Sequence, residues 1–232
     1  ELKNEKPRAE FDGEALWLTQ PKHPHLNMGE RQIPFTKTIY IDATDYEIEP
    51  PAGYKRLSPN NPEIRLRNSY ILKVNEHKTD DAGNVIELIA TIDEHTLGNN
   101  PEGRKVKGVI HWVSATHGVT AFVRLYDHLL LEEDEIDASL AQNALGTDAD
   151  AFWINRHLNP NSLTVYQAVV EPDLAKAAAG ERFQFERESY FIADSVEHTQ
   201  SSPVFNQIVS VSVLLVMGEL ISWGHKTNTP KT

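Results

Sequence analysis

The 232-residue sequence predicts an all-β fold built as small barrels or sandwiches, and three observations carry that expectation. Segments rich in β-branched and aromatic residues alternate with polar positions at the two-residue period of a half-buried strand. Turn signals made of Pro, Gly, Asn and Asp separate these segments at short intervals. Helical patterning is confined to brief stretches, so helices are expected to be few and short.

Lys37–Ile41 is the first clear strand. Glu63–Val74 reads as one long strand or a bent pair, with Ile64 and Leu66 on the core face and Arg65 and Arg67 on the other, because residues two apart in a strand share a face. Thr79-Asp-Asp-Ala-Gly-Asn84 has the residue types of a tight turn, and Val85–Ile92 follows it as the return strand of a hairpin. Asn99–Gly103 is a second turn, leading into Lys105–Val113 and then Val119–Tyr126. Later strands are expected at Leu163–Val170, Arg182–Glu188, Tyr190–Ala193 and Val204–Val216. Asp173–Ala179 is the best helix, stopped by Gly180. Ala138–Leu145 and Ala149–Leu158 are weaker helical segments.

Composition narrows the function classes. Apolar residues make up 40% and charged residues 24%, as in a globular protein. With no cysteine, neither disulfides nor thiolate metal sites are available. Glu1–Glu10 is too charged for a signal peptide, and Ile208–Met217 is half the roughly 20 residues of a membrane helix, so no membrane role is expected. The net charge of −12 opposes a nucleic-acid partner at long range. Charge is segregated, however. Acidic residues crowd Asp127 and Glu132–Asp137, whereas basic residues gather in Lys55–Arg67, Arg104–Lys107 and Arg182–Arg187.

Two of those basic stretches carry the candidate chemistry. Arg65 and Arg67 share a strand face, and like charges side by side are unfavourable unless an anion compensates. Arginine suits bidentate contacts to phosphate or to a guanine edge, although on pattern alone pairing with surface carboxylates is the commoner explanation. In Arg182-Phe-Gln-Phe-Glu-Arg187 a single strand would place Gln184 opposite in face to Arg187, with Arg187 near enough to the strand end to reach round a rim. Glutamine offers both donor and acceptor to a base edge, and an ordinary amphipathic strand is again the alternative. His23-Pro-His25 and His111 with His117 lack the spacing of a metal motif. No nucleophile elbow, phosphate loop or dinucleotide fingerprint is present, so no catalytic, cofactor-binding or metal-ligating residue is assigned.

Six segments in order and spacing resemble the C-terminal anticodon-binding region of the glutaminyl-tRNA synthetase family of class I aminoacyl-tRNA synthetases. They are Met28–Phe35, Tyr54–Leu57, Ile64–Asn68, Gly103–Ser114 (which includes Lys-Gly-Val-Ile-His-Trp-Val-Ser), Arg124–Asp127 and Phe183–Glu188. The resemblance runs from about residue 20 to about residue 206; Ile208–Thr232 lies outside it. It implies two small antiparallel β-barrels with a few short helices. The proximal barrel would comprise residues 1–35 and 119–217, the distal barrel 36–118, and the tail 218–232. It further implies that Lys55, Arg56, Arg65 and Arg67 line the distal part of an anticodon site, and that Gln184 and Arg187 read the middle anticodon base from the proximal part. Gly53 departs from the family, which carries Gln before the Tyr-Lys-Arg run, and His25 replaces an Asn.

The implied partners are the anticodon loop of a glutamine tRNA and the catalytic domain of a parent synthetase; DNA is not among them. In the parent, ATP with magnesium would serve glutamine ligation on a Rossmann domain bearing the HIGH-like and KMSKS-like motifs, both missing from these residues. The chain alone is therefore expected to bind without catalysing and to need no cofactor, in the cytoplasm. A glutamyl-tRNA synthetase of the archaeal or eukaryotic type and an rRNA-binding barrel protein are the nearest alternatives; a hydrolase has only composition in its favour.

Overall fold

The computed structural model describes residues 8–23, 25–131 and 157–210. The Ala138–Leu145 and Ala149–Leu158 helices, the acidic run Glu132–Asp137, and the tail beyond Ser210 fall wholly or largely outside them. The all-β expectation holds: the helical elements that lie within the described residues are three short 3-10 turns at Ala43–Asp45, Glu94–Thr96 and Pro172–Lys176. The chain divides into two compact units. One takes the described residues of Glu1–Thr120 and Ala168–Ala177, the other those of Ala121–Gln167 and Ala178–Leu214.

In the first unit, β1 (Arg8–Phe11), β2 (Leu16–Pro21) and β3 (Glu30–Phe35) form an antiparallel meander. A two-stranded ribbon pairs β4 (Ile39–Tyr40) with β9 (Val113–Ser114). The remaining sheet has the order β7-β6-β5-β8, from Val85–Asp93, Ile71–Thr79, Glu63–Leu66 and Val109–Ile110 respectively. Leu18, Ile33, Leu57, Ile64, Leu66, Ile110 and Trp112 pack into one buried cluster. Such residues each contribute roughly 1.5–3 kcal/mol by leaving water. The expected hairpin is present: Asp80 accepts at Oδ1 from the Ala82 and Asn84 amides, and Gly83 takes a positive φ of 86°. These bonds hold the Asp80 carboxyl below its ordinary value, the Asn84 side chain contributing most.

The second unit contains most of a five-stranded sheet in the order β11-β10-β14-β13-β12. Its strands are β10 (Val119–Tyr126), β11 (Leu163–Val170), β12 (Arg182–Phe185), β13 (Ser189–Ala193) and β14 (Val204–Ser210). Its core is aromatic: Phe185 stacks 4.5 Å from Phe191, and Phe183 and Phe185 both meet Phe205 edge-on.

Three details differ from the sequence expectation, and one open alternative is decided. Among the described residues none of the four sheets closes on itself, and two pairs are parallel, β5 with β8 and β10 with β14. Of the two readings of Glu63–Val74 the bent pair is the one found, two strands around a tight turn in which Ser69 N–H donates to the Leu66 carbonyl at 2.9 Å. Lys105–Val113 is not one strand but two short pieces, because the chain leaves β5 for β4 between Ile110 and Val113, and Gly108 (φ 88°) lies against the Lys55 carbonyl. Asp173–Ala179 is not an α-helix. Only the 3-10 turn Pro172–Lys176 forms, and Ala177 is already extended. With Leu174 as its one large apolar residue the segment has no face to bury, and sheet pairing takes over at once through Gly180 N–H to the Ala193 carbonyl. The turn is anchored from its start instead: half-buried Glu171 accepts from Arg31 Nε at 2.8 Å and lies 3.4 Å from His111 Nε2. Burial alone would raise the Glu171 carboxyl, but His111 and Arg31 hold it below its ordinary value.

Candidate nucleic-acid interface

Four of the six candidate residues belong to the first unit. Ile64 and Leu66 on β5 are fully buried, so Arg65 projects from the opposite face as the strand period requires. Its guanidinium is engaged by main-chain carbonyls, donating to Ser69 O at 3.0 Å, Thr96 O at 2.9 Å and Asn99 O at 2.6 Å. Burial pushes Arg65 below its ordinary value, partly opposed by Asp93. Arg67 is exposed and sits in the turn after β5, where Asn68 takes a left-handed φ of 55°. Asparagine tolerates that conformation better than most residues.

Lys55 and Arg56 follow a turn in which Tyr54 N–H bonds to Pro51 O and Gly53 takes a φ of 85°. The family's glutamine at that position would be strained there. Lys55 is exposed. Arg56 is half-buried: Nη1 donates to both Thr44 O and Thr44 Oγ1 at 3.1 Å, and Nε lies 3.3 Å from the carboxylate of fully buried Asp45. A cleft of about 320 Å³ opens beside Arg65, lined by Ile71, Asn100, Pro101, Arg104, Lys105 and Val106. Arg104 is tied there to Glu63 and Asp93 at 3.1 and 2.7 Å, while Lys105 and Lys107 are exposed.

The second unit carries the other two. Phe183 and Phe185 face the aromatic core, so Gln184 points outward on β12, directly across from Tyr190 on β13. Arg187 is not on the strand, as a single run Arg182–Glu188 would require. Strand β12 ends at Phe185, and Glu188 N–H bonds to Phe185 O at 3.1 Å, closing a turn with Arg187 as its third residue at φ 67°. A non-glycine residue held there stores strain of about 1 kcal/mol or more, a cost that clusters at functional positions.

The fold thus gathers Lys55, Arg56, Arg65 and Arg67 in one unit and Gln184 with Arg187 in the other. Sequence reasoning missed Tyr190, whose exposed ring (44%) is the kind of surface on which a base stacks; its alternation with buried Phe191 was the available signal. It also missed Gln20 and Trp112, buried residues that reach the Arg67 turn and give no local sign of doing so. Among the described residues no three His, Asp or Glu side chains are placed to hold a metal ion. His23 instead accepts at Nδ1 from the His25 and Leu26 amides. No described helix is long and apolar enough to cross a membrane.

The chain is all-β and carries Arg67 and Arg187 in tight turns, and comparison gives its family. Two sequence models described as "tRNA synthetases class I (E and Q), anti-codon binding domain" match residues 2–93 and 109–194. The chain belongs to that family. Among its curated relatives, the glutamine–tRNA ligase of Stutzerimonas stutzeri (strain A1501) is 49% identical over 199 residues, covering 84% of this chain and 33% of that protein. The glutamine–tRNA ligase of Ectopseudomonas mendocina (strain ymp) is 47% identical over 201 residues, 86% and 34% respectively. That of Neisseria meningitidis serogroup A (strain DSM 15465 / Z2491) is 47% identical over 190 residues, 82% and 33%. The chain spans about a third of the length of these relatives.

Proposed function

We propose that this chain recognises the anticodon loop of a glutamine tRNA, as the RNA-reading part of a glutamine–tRNA ligase whose catalytic domain lies elsewhere in the parent protein. The observation that carries the reading is that a chain nearly half identical to glutamine–tRNA ligases sets exposed Arg67 and half-buried Arg187 in two tight turns. Lys55 and Arg67 would meet phosphates and base edges from the first unit, with Arg56 and Arg65 building the surface between them. Gln184 and Arg187 would read the middle base from the second. The proximal-and-distal barrel division, the cytoplasmic setting and the parent's use of glutamine, ATP and magnesium go with this reading. Single-stranded anticodon bases can be splayed out and hydrogen-bonded along their edges, which duplex bases do not allow. A net charge of −12 is compatible with it because phosphates respond to the local cluster.

Arg67→Ala and Arg187→Ala are each expected to weaken binding of an anticodon stem-loop with a central uridine by about 1–3 kcal/mol, as for a bidentate base contact. Filter binding at fixed salt measures both. Two variants with unchanged affinity would sink the assignment.

A further inference from the structure

We infer that Gln20, Arg65 and Trp112 are positioning residues that fix the turn bearing Arg67, so that Arg65 serves RNA recognition by holding main chain and not by touching RNA. The inference rests on the reading of Arg67 as an RNA contact. Three consecutive carbonyls of the turn are each met by a different side chain. The Trp112 indole N–H donates to Arg67 O at 3.0 Å, the Gln20 amide to Asn68 O at 3.3 Å, and Arg65 Nη1 to Ser69 O at 3.0 Å. The donors come from three separate places in the chain: β2, β5, and the link between β8 and β9. Gln20 and Trp112 are buried, at 6% and 2% exposure, so neither can itself reach a bound RNA.

Main-chain bonds complete the clamp. Arg67 N–H donates to Ile110 O, and Ser69 N–H to Leu66 O, both at 2.9 Å. Arg65 also binds Thr96 O and Asn99 O, tying the turn to the loop after β7. An isolated left-handed asparagine would leave such a turn free to sample other conformations. With its three carbonyls held, the turn is over-determined, and Arg67 is presented without a main-chain ordering cost on binding.

The test uses the full chain and an anticodon stem-loop with a central uridine. Trp112→Phe removes the indole N–H together with the five-membered ring of a buried side chain, so its melting point is measured beside its affinity and Arg65→Lys serves as the variant that leaves the core intact. Arg65→Lys keeps the charge but loses the fork that spans three carbonyls. Each is expected to lower affinity at least fivefold, with a salt slope equal to that of the parent chain. Neither should lower it further when added to Arg67→Ala, since the effect passes through Arg67. Hydrogen exchange at the Arg67 and Ser69 amides should accelerate in both variants without RNA, a readout independent of binding. Wild-type affinity and exchange in Trp112→Phe and Arg65→Lys, beside a clear loss in Arg67→Ala, would overturn the positioning role alone. Losses that add to that of Arg67→Ala, or a reduced salt slope in Arg65→Lys, would make Arg65 a direct contact and also overturn it. If Arg67→Ala itself binds normally, the functional reading fails and this inference with it.

Discussion

Arg56 occupies a position that the family resemblance assigns to RNA, yet its guanidinium is tied to the protein, and removing it should cost stability as well as affinity. Its Nε lies 3.3 Å from Oδ1 of Asp45, a carboxylate with no exposed side-chain surface. At an effective dielectric of about 20, unit charges at that separation attract by roughly 5 kcal/mol. The Arg56 side chain is 37% exposed, so solvent screens the pair, and both groups lost hydration on folding. A net loss of about 2 kcal/mol in Arg56→Ala is therefore expected, chiefly from removing the cation beside a buried carboxylate. In a chain of this size that corresponds to a melting point lower by about 4–8 °C. Asp45→Asn should restore part of the loss in the double variant, because it removes the buried charge. Urea unfolding of the two single variants and the double variant closes the cycle. Unchanged stability in Arg56→Ala, or a double variant less stable than Arg56→Ala, would refute the reasoning. Lys55→Ala, at an exposed neighbour, should weaken RNA binding and leave the melting point within about 1 °C.

Two further outcomes follow from the geometry. Asp194 accepts from the Glu197 amide, the Asn206 side chain and the Val196 amide, and with Arg124 nearby its carboxyl is lowered to about 2. A carboxyl lowered on folding stabilises the fold above its unfolded value near 3.8 and loses that contribution as pH falls towards 2. After solvent screening the effect is about 1 kcal/mol, so the stability gap between the parent chain and Asp194→Asn should shrink between pH 5 and pH 2 in urea titrations; a constant gap contradicts it. At Gly118 an added Cβ would lie 2.4 Å from Val169 Cγ1 and 2.6 Å from the Ser114 carbonyl. Gly118→Ala is expected to cost about 1–3 kcal/mol by overpacking against main chain, and a thermal melt equal to the parent's would be evidence against that contact.

How far the sequence could be read depended on where each determinant lies. The β6–β7 hairpin was legible because Asp80, Gly83 and Asn84 carry their turn chemistry locally. The inward face of β5 was legible because Ile64 and Leu66 alternate with arginines. The helix expected at Asp173–Ala179 failed where tertiary pairing overrode propensity: the bond from Gly180 to Ala193 commits the chain to the sheet before a second helical turn forms. Arg187 was misplaced onto a strand for a related reason, since nothing in Phe185-Glu-Arg-Glu-Ser189 announces a turn with an arginine at positive φ. The residue types of the candidate site were visible, but their division of labour was not. Arg65 and Arg67 look alike two positions apart, and the sequence does not show that Arg65 is half-buried among three carbonyls while Arg67 is exposed. Gln20 lies 48 residues from the carbonyl it binds and Trp112 lies 45 residues from its own, separations that no local pattern encodes.

The central claim is that this chain reads an anticodon loop, and binding to two stem-loops that differ only at the middle anticodon base tests it most directly. Calorimetry at fixed salt is expected to give at least fivefold tighter binding to the loop with uridine than to the loop with cytidine, in line with roughly 1–3 kcal/mol per well-read base. Both affinities should fall steeply as salt rises. Equal binding to the two loops, or binding indifferent to salt, would contradict the account.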